Sequence, residues 1–263
     1  MTDTASNQPT GRVALVTGGG RGIGRGIAVG LAQDGFDVAI TYRKNGEAAA
    51  ETVAEIEALG RAAVALQGDV AQPEDNARNV AEVIERFGGF QVLVSNGGIA
   101  SRGRSVVDTD PEELLRVVST HALGPHHLCS VAVPHLRTHD RADVVVISSV
   151  ATLGHGANGA PYSMGKAALE SLALTLAKEE RPHGIRVNIV APGLVETEMG
   201  RRLVKGAAGI DDIRTLDEHM PFGRVCQPSD IADAVRFFVS DRAGYITGEK
   251  LNVYGGGQDW RSR

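Results

Sequence analysis

The sequence predicts an α/β chain in which a parallel sheet is covered by helices on both faces, and three observations lead there. Short runs rich in Val, Ile and Leu recur at 13–17, 37–41, 62–67, 91–95, 143–148, 186–190 and 250–253, which gives seven strand candidates. The stretches between them, such as 22–33, 46–59 and 74–87, space their apolar residues by three and four, the period of a helix. Hydrophobic residues make up 42% of the chain but aromatics only 4%, so the core is built from Val, Ala, Leu and Ile rather than from the rings of an all-β sandwich. Strand and helix alternate throughout, and a parallel sheet is the economical way to bury such a series.

A length of 263 residues suits one large α/β domain. No linker, repeat or composition break divides it, so 12–263 reads as one domain behind a loose, polar tail at 1–11. The stretch 194–220 is rich in charge and Gly and lacks a clean period, so it is expected to form a movable lid over a site. A net charge of -5 argues against nucleic acid as a partner. Neither a signal peptide nor a membrane span is legible, and Cys129 and Cys226 show no metal-ligand or disulfide pattern, so a cytoplasmic location without a metal is expected.

The first strand runs directly into Thr17-Gly18-Gly19-Gly20-Arg21-Gly22-Ile23-Gly24, which opens the first helix. Glycines there permit a tight turn and let a pyrophosphate approach the helix N-terminus, so Gly18, Arg21, Gly22, Ile23 and Gly24 are candidate dinucleotide contacts. The second strand ends in Thr41-Tyr42-Arg43-Lys44, where an acid would bind a free ribose hydroxyl. No carboxylate stands there, and Arg43 beside Tyr42, with Arg21, can pair with a 2′-phosphate, which favours NADP(H); the alternative is that Arg43 and Lys44 are solvated loop charges.

The fifth strand ends in two hydroxyls, Ser148 and Ser149, at the sheet edge where open α/β folds bind ligands. Further on, Tyr162 and Lys166 lie four apart at the start of a long helix and so share a face. A free phenol with a pKa near ~10 is a poor acid at neutral pH, and a neighbouring ammonium is expected to lower it. Tyr162 is thus a candidate proton donor and Ser149 a candidate partner for a substrate carbonyl.

These residues resemble the short-chain dehydrogenase/reductase family in its form of about 250 residues, along a stretch from about 12 to 257. The family's glycine turn falls on Thr17, Gly18, Gly22 and Gly24; its adenine contact matches Asp69 and Val70; the turn after the fourth strand matches Asn96 and Gly97. Ser149 and Tyr162 keep the family spacing of thirteen. Pro192-Gly193-Leu194-Val195-Glu196-Thr197 is similar to the loop that binds the nicotinamide amide, through the backbone of Val195 and the hydroxyl of Thr197. The resemblance implies a single Rossmann-type doubly wound domain with strand order 3-2-1-4-5-6-7, usually a homotetramer. It also implies hydride transfer from NADPH to a carbonyl, with Tyr162 protonating the oxygen, Ser149 polarising it, and Lys166 holding the nicotinamide ribose and tuning Tyr162.

Three positions depart from the family. His121 stands where the family has an Asn that bends the helix and holds a water for proton supply; a neutral imidazole could hold that water, serve a weaker relay, or be a structural histidine. Ser95 replaces an Asn, and Tyr254 stands where Asp is frequent, which is expected to affect oligomer packing. The nearest subgroup is that of 3-oxoacyl-(acyl-carrier-protein) reductases and polyketide ketoreductases. The two places expected to carry a basic rim for an acidic carrier hold Pro134 and His183, so a small-molecule ketone, sugar or steroid stays open beside an acyl thioester. A non-catalytic NADP(H)-binding protein and an isomerase or dehydratase are the competing readings.

Overall fold

The seven Val/Ile/Leu runs form one sheet in the computed structural model, which describes residues 11–257. They are β1 (Val13–Val16), β2 (Asp37–Tyr42), β3 (Ala63–Gln67), β4 (Val92–Ser95), β5 (Ala142–Ile147), β6 (Ile185–Pro192) and β7 (Lys250–Val253). Every pairing is parallel and the order is β3-β2-β1-β4-β5-β6-β7, so all seven C-terminal ends share one edge. The strand order reverses between β1 and β4, which leaves a crevice at that edge.

Between the strands run α1 (Gly22–Gln33), α2 (Gly46–Ala58), α3 (Pro73–Phe87), α4 (Pro111–Val118), α5 (Gly124–Leu136), α6 (Ala151–Gly154), α7 (Ala160–Glu180), α8 (Glu198–Ala208) and α9 (Pro228–Val239). The pleat sorts the core into two layers. Ala14 and Val16 of β1 join Ile27 and Leu31 of α1 and Ile231 and Val235 of α9 on one face. Val13 and Leu15 point the other way, to Val83 of α3, Leu128 of α5 and Leu169 of α7. A one-residue slip of β1 would exchange these sets, so burial on both faces fixes the register.

Several sequence expectations change in detail. The sixth strand reaches Pro192, two residues past the run of Val and Ile, and so carries the start of the expected nicotinamide loop to the sheet edge. The stretch 194–220, without a clean period by eye, contains an eleven-residue helix, α8, with Gly200 and Val204 buried one turn apart. Its Val204 packs with Ile213 and Val225 in a small core of its own, which is why the main sheet does not set its pattern. Of the expected tail at 1–11, only Gly11 falls within the described residues. No described helix is long and apolar enough to cross a membrane.

At the opposite edge of the sheet, Asp143 is buried and meets Arg12 at 2.7 Å, Arg186 at 2.5 Å and Arg141 at 3.5 Å. This cluster ties the starts of β1, β5 and β6 together. Burial raises the Asp143 pKa, against the pull of Arg186 and Arg12.

Candidate active site

The glycine turn between β1 and α1 leaves no room for side chains. Gly18 takes a left-handed φ of +65°, and a Cβ on Gly24 would stand 2.2 Å from the Gly18 carbonyl oxygen. Two neighbouring loops close on this turn. From β4, the Asn96 amide donates to the Thr17 carbonyl at 2.9 Å, while the backbone N–H groups of Asn96 and Gly97 both donate to the Thr17 hydroxyl at 3.0 Å. From β6, the Thr197 methyl lies 3.3 Å from where a Cβ of Gly22 would be. Thr197 also caps α8 by accepting from the Gly200 N–H at 3.0 Å.

The loop carrying Thr197 is held at both ends. The Gly193 N–H donates to the Val253 carbonyl of β7 at 3.0 Å, and Val195 forms an isolated parallel bridge with Cys226. Tyr254 packs against this loop: a Cβ on Gly193 would stand 2.8 Å from the Tyr254 Cβ. Oligomer packing was the expected role of Tyr254, and its contact within the chain is with the Gly193 backbone.

At the end of β3, Asp69 receives a hydrogen bond from the Ala71 N–H at 3.0 Å and pairs with Arg43 at 3.5 Å. Val70 lies against Gly97, where a Cβ would stand 2.9 Å from the valine Cγ1. Tyr42 covers Gly46 at the start of α2. Arg21 and Arg43, expected to act together, have separate carboxylate partners: Arg43 pairs with Asp69, and Arg21 pairs with Glu198 on α8.

Beyond β5 the chain turns at Ser149, whose hydroxyl oxygen accepts from the Ala151 N–H at 3.1 Å. That contact leaves the hydroxyl proton free to donate. The Ser149 hydroxyl stands beside Tyr162, which projects from the first turn of α7. One turn on, Lys166 is buried and its Nζ donates to the Ile147 carbonyl at 2.6 Å.

The expected acidification of Tyr162 by Lys166 needs correction. Burial pushes the phenol pKa up and the nearby Ser149 hydroxyl only opposes this. Nζ lies 5.8 Å from the centre of the tyrosine ring and is turned to the Ile147 carbonyl, so the attraction between them does not decide the balance. Lys166 itself is brought down to about 7, because burial disfavours its ammonium more than Glu170 supports it.

His121 sits in a π-helical turn, Ser119–Leu123, between α4 and α5. Such a turn carries an extra residue and bulges a helix, which is the bend expected here. The ring stacks edge-on against Tyr162 with centres 5.0 Å apart. Its Nε2 lies 2.7 Å from the Ile99 carbonyl and 3.3 Å from the Ile99 N–H; the shorter contact assigns the proton to Nε2. Nδ1 is then a bare acceptor, buried and without a partner among the described residues. Burial, with Lys166 and Arg116 nearby, lowers the His121 pKa to about 3, so the ring is neutral.

The cradle of Gly18, Gly22, Gly24 and Gly97 excludes side chains and exposes backbone at a helix N-terminus, which fits a dinucleotide pyrophosphate. The sequence model of the family described as enoyl-(acyl carrier protein) reductase matches residues 18–258. The chain belongs to the short-chain dehydrogenase/reductase family.

Among short-chain dehydrogenase/reductase relatives, L-rhamnose 1-dehydrogenase (NAD(P)(+)) of Sphingomonas sp. (strain SKA58) is 36% identical over 94% of this chain and 96% of its own. The 3-oxoacyl-[acyl-carrier-protein] reductase of Staphylococcus aureus is 35% identical over 92% and 96%. A solved short chain dehydrogenase from Burkholderia cenocepacia J2315 in complex with NADP is 37% identical, covers 93% of this chain and 97% of its own, and superposes with a TM-score of 0.84.

Against this short-chain dehydrogenase/reductase frame, Pro134 and His183 are not at the site mouth. His183 lies just before β6 begins, and Pro134 lies near the end of α5, where its neighbour His135 touches Phe90 just before β4. Both positions belong to the N-terminal edge of the sheet, so within one chain they say nothing about a carrier. Sequence reading also missed a polar cluster behind Ser149, made by Ser148, Thr152, Glu170 and Lys250. One signal was available: Glu170 stands four residues after Lys166 on the same helix, as Lys166 stands after Tyr162.

Proposed function

We propose that the protein is a cytoplasmic, NADP(H)-dependent carbonyl reductase acting on small-molecule ketones, 3-oxoacyl thioesters included. The observation that carries this reading is the neighbouring pair of hydroxyls, Ser149 and Tyr162, with buried Lys166 one helical turn away, at the sheet edge that also holds the glycine cradle. Bound NADPH would supply a hydride to the carbonyl carbon.

Burial keeps the Tyr162 phenol protonated, so its proton is available to the carbonyl oxygen as negative charge develops there. Ser149, its own oxygen occupied by the Ala151 N–H, donates to the same carbonyl and orients it. Lys166, brought down by burial to about 7, titrates close to neutral pH, and its ammonium can return a proton to Tyr162. Neutral His121 offers its Nδ1 to a water on the supply route, in the place of the family's Asn. Gly18, Arg21, Gly22, Ile23, Gly24, Tyr42, Arg43, Asp69, Val70, Asn96, Gly97, Pro192, Gly193, Val195 and Thr197 would hold the dinucleotide, with α8 as the lid.

A second reading is the same chemistry run backwards on a sugar, favoured by the 36% identity to L-rhamnose 1-dehydrogenase. The test follows NADPH absorbance with acetoacetyl-CoA and simple diketones, and NADP⁺ reduction with L-rhamnose, beside Tyr162→Phe and His121→Asn. Tyr162→Phe is expected to lower turnover by a factor of ~100 or more; unchanged turnover refutes the mechanism. His121→Asn is expected to lower the rate, and a rise would show that the imidazole impairs proton supply. Binding of NADPH with no turnover of any substrate would leave a sensor or assembly role instead.

A further inference from the structure

We propose that Glu170 is a positioning residue that fixes the turn bearing Ser149 and, in balance with Lys250 of β7, supports the ammonium form of Lys166 against burial. The proposal rests on the reductase reading of the site. Its basis is a cluster that no step of that mechanism uses. The Glu170 carboxylate accepts from the Ser148 hydroxyl at 2.5 Å and from the Lys250 ammonium at 2.7 Å, and it lies 2.9 Å from the Thr152 hydroxyl. Lys250 also donates to the Thr152 oxygen at 2.7 Å.

Thr152 has one proton and two acceptors at 2.9 Å, the Glu170 carboxylate and the Ser149 carbonyl. With Lys250 already donating to both Glu170 and the threonine oxygen, that proton is free for the Ser149 carbonyl. Residues on both sides of Ser149 therefore hang on one carboxylate, which is only 16% exposed. A 1 Å loss of register here would misplace the hydroxyl that meets the substrate.

The same carboxylate stands one turn beyond Lys166 and is the charge that supports its ammonium against burial. The groups facing Lys166 are Tyr162 and Glu170 from its own helix and His121 from the π-helical turn, which is neutral; Lys250 acts from β7 through Glu170. Two changes of opposite sign follow. Removing the negative charge leaves burial unopposed, and removing Lys250 leaves Glu170 unneutralised.

The test measures the ionisation of Lys166 without relying on turnover: the pH dependence of its acetylation by acetic anhydride, read by peptide mass spectrometry on the whole protein. Glu170→Gln is expected to move the midpoint down by ~1 pH unit, a tenfold change in the ratio of ammonium to amine. Lys250→Met is expected to move it up. The alkaline limb of kcat should follow each midpoint, and Glu170→Asp should restore part of the shift. A midpoint that stays put in both variants overturns the proposal, as does a uniform fall of kcat at every pH. Should Glu170→Gln fail to fold, Lys250→Met alone decides the sign. If Tyr162→Phe keeps full turnover while the midpoints move, the reductase reading fails and the Glu170 effect on Lys166 stands.

Discussion

Arg43 and Arg21 show how single residues can be chemically legible and still be placed differently. Their number and position were readable, because a strand end without a carboxylate leaves a 2′-phosphate unopposed. Their pairings with Asp69 and Glu198 were not, since those partners are distant in sequence. Exposed ion pairs of this kind contribute only ~0–1 kcal/mol, so a phosphate would displace them at small cost. Arg43→Ala is expected to weaken NADPH at least tenfold more than NADH in fluorescence titrations; equal losses would show that Arg43 does not read the phosphate. That Tyr162 and Lys166 share a helix face was readable from their spacing, and Ser149 from its strand end and the family resemblance, but the electrostatic balance among them was not. Spacing shows which side chains share a face, whereas burial, which dominates here, needs the packed fold.

Elements were legible where hydrophobic periodicity served the main sheet and less so elsewhere. All seven strand runs are strands, yet α8 escaped detection because its apolar residues serve a local core of Val204, Ile213 and Val225. Just after that core, α9 opens with a capping box between Gln227 and Asp230, and Asp230 also meets Arg224 through two contacts of 2.6 and 2.7 Å. The hydrogen bond from Arg224, which outweighs burial, and that from the Gln227 N–H lower the Asp230 pKa from 3.8 to about 2. The folded state therefore holds the charged carboxylate more strongly than the unfolded chain does. Its stabilisation is complete above pH 3.8 and is lost as pH falls towards about 2. In urea unfolding, the deficit of Asp230→Asn relative to the parent should be constant above pH 5 and shrink as pH falls through ~4 to ~2; a deficit that grows on acidification would contradict this assignment.

At the scale of the molecule, parallel pairing and strand order followed from alternation and from the family resemblance, and the structure has that order. Assembly is less constrained by one chain. The 21-residue helix α7 leaves Met164 and Leu174 exposed on the side away from its buried Leu169 and Ala173, and Leu115 of α4 is also exposed. An apolar face of this kind suits contact with a second copy. Sedimentation is expected to give a homotetramer, and Leu174→Glu to shift it towards smaller species. A monomer at micromolar concentration would count against it.

The contact between Thr197 and Gly22 joins the first turn of the protein to a loop that is synthesised about 175 residues later. A nascent chain that has not yet released its sixth strand from the ribosome lacks the Thr197 side of the dinucleotide site. Cofactor supply would therefore stabilise chains that carry both sides of the site against proteolysis more than chains that stop short of it.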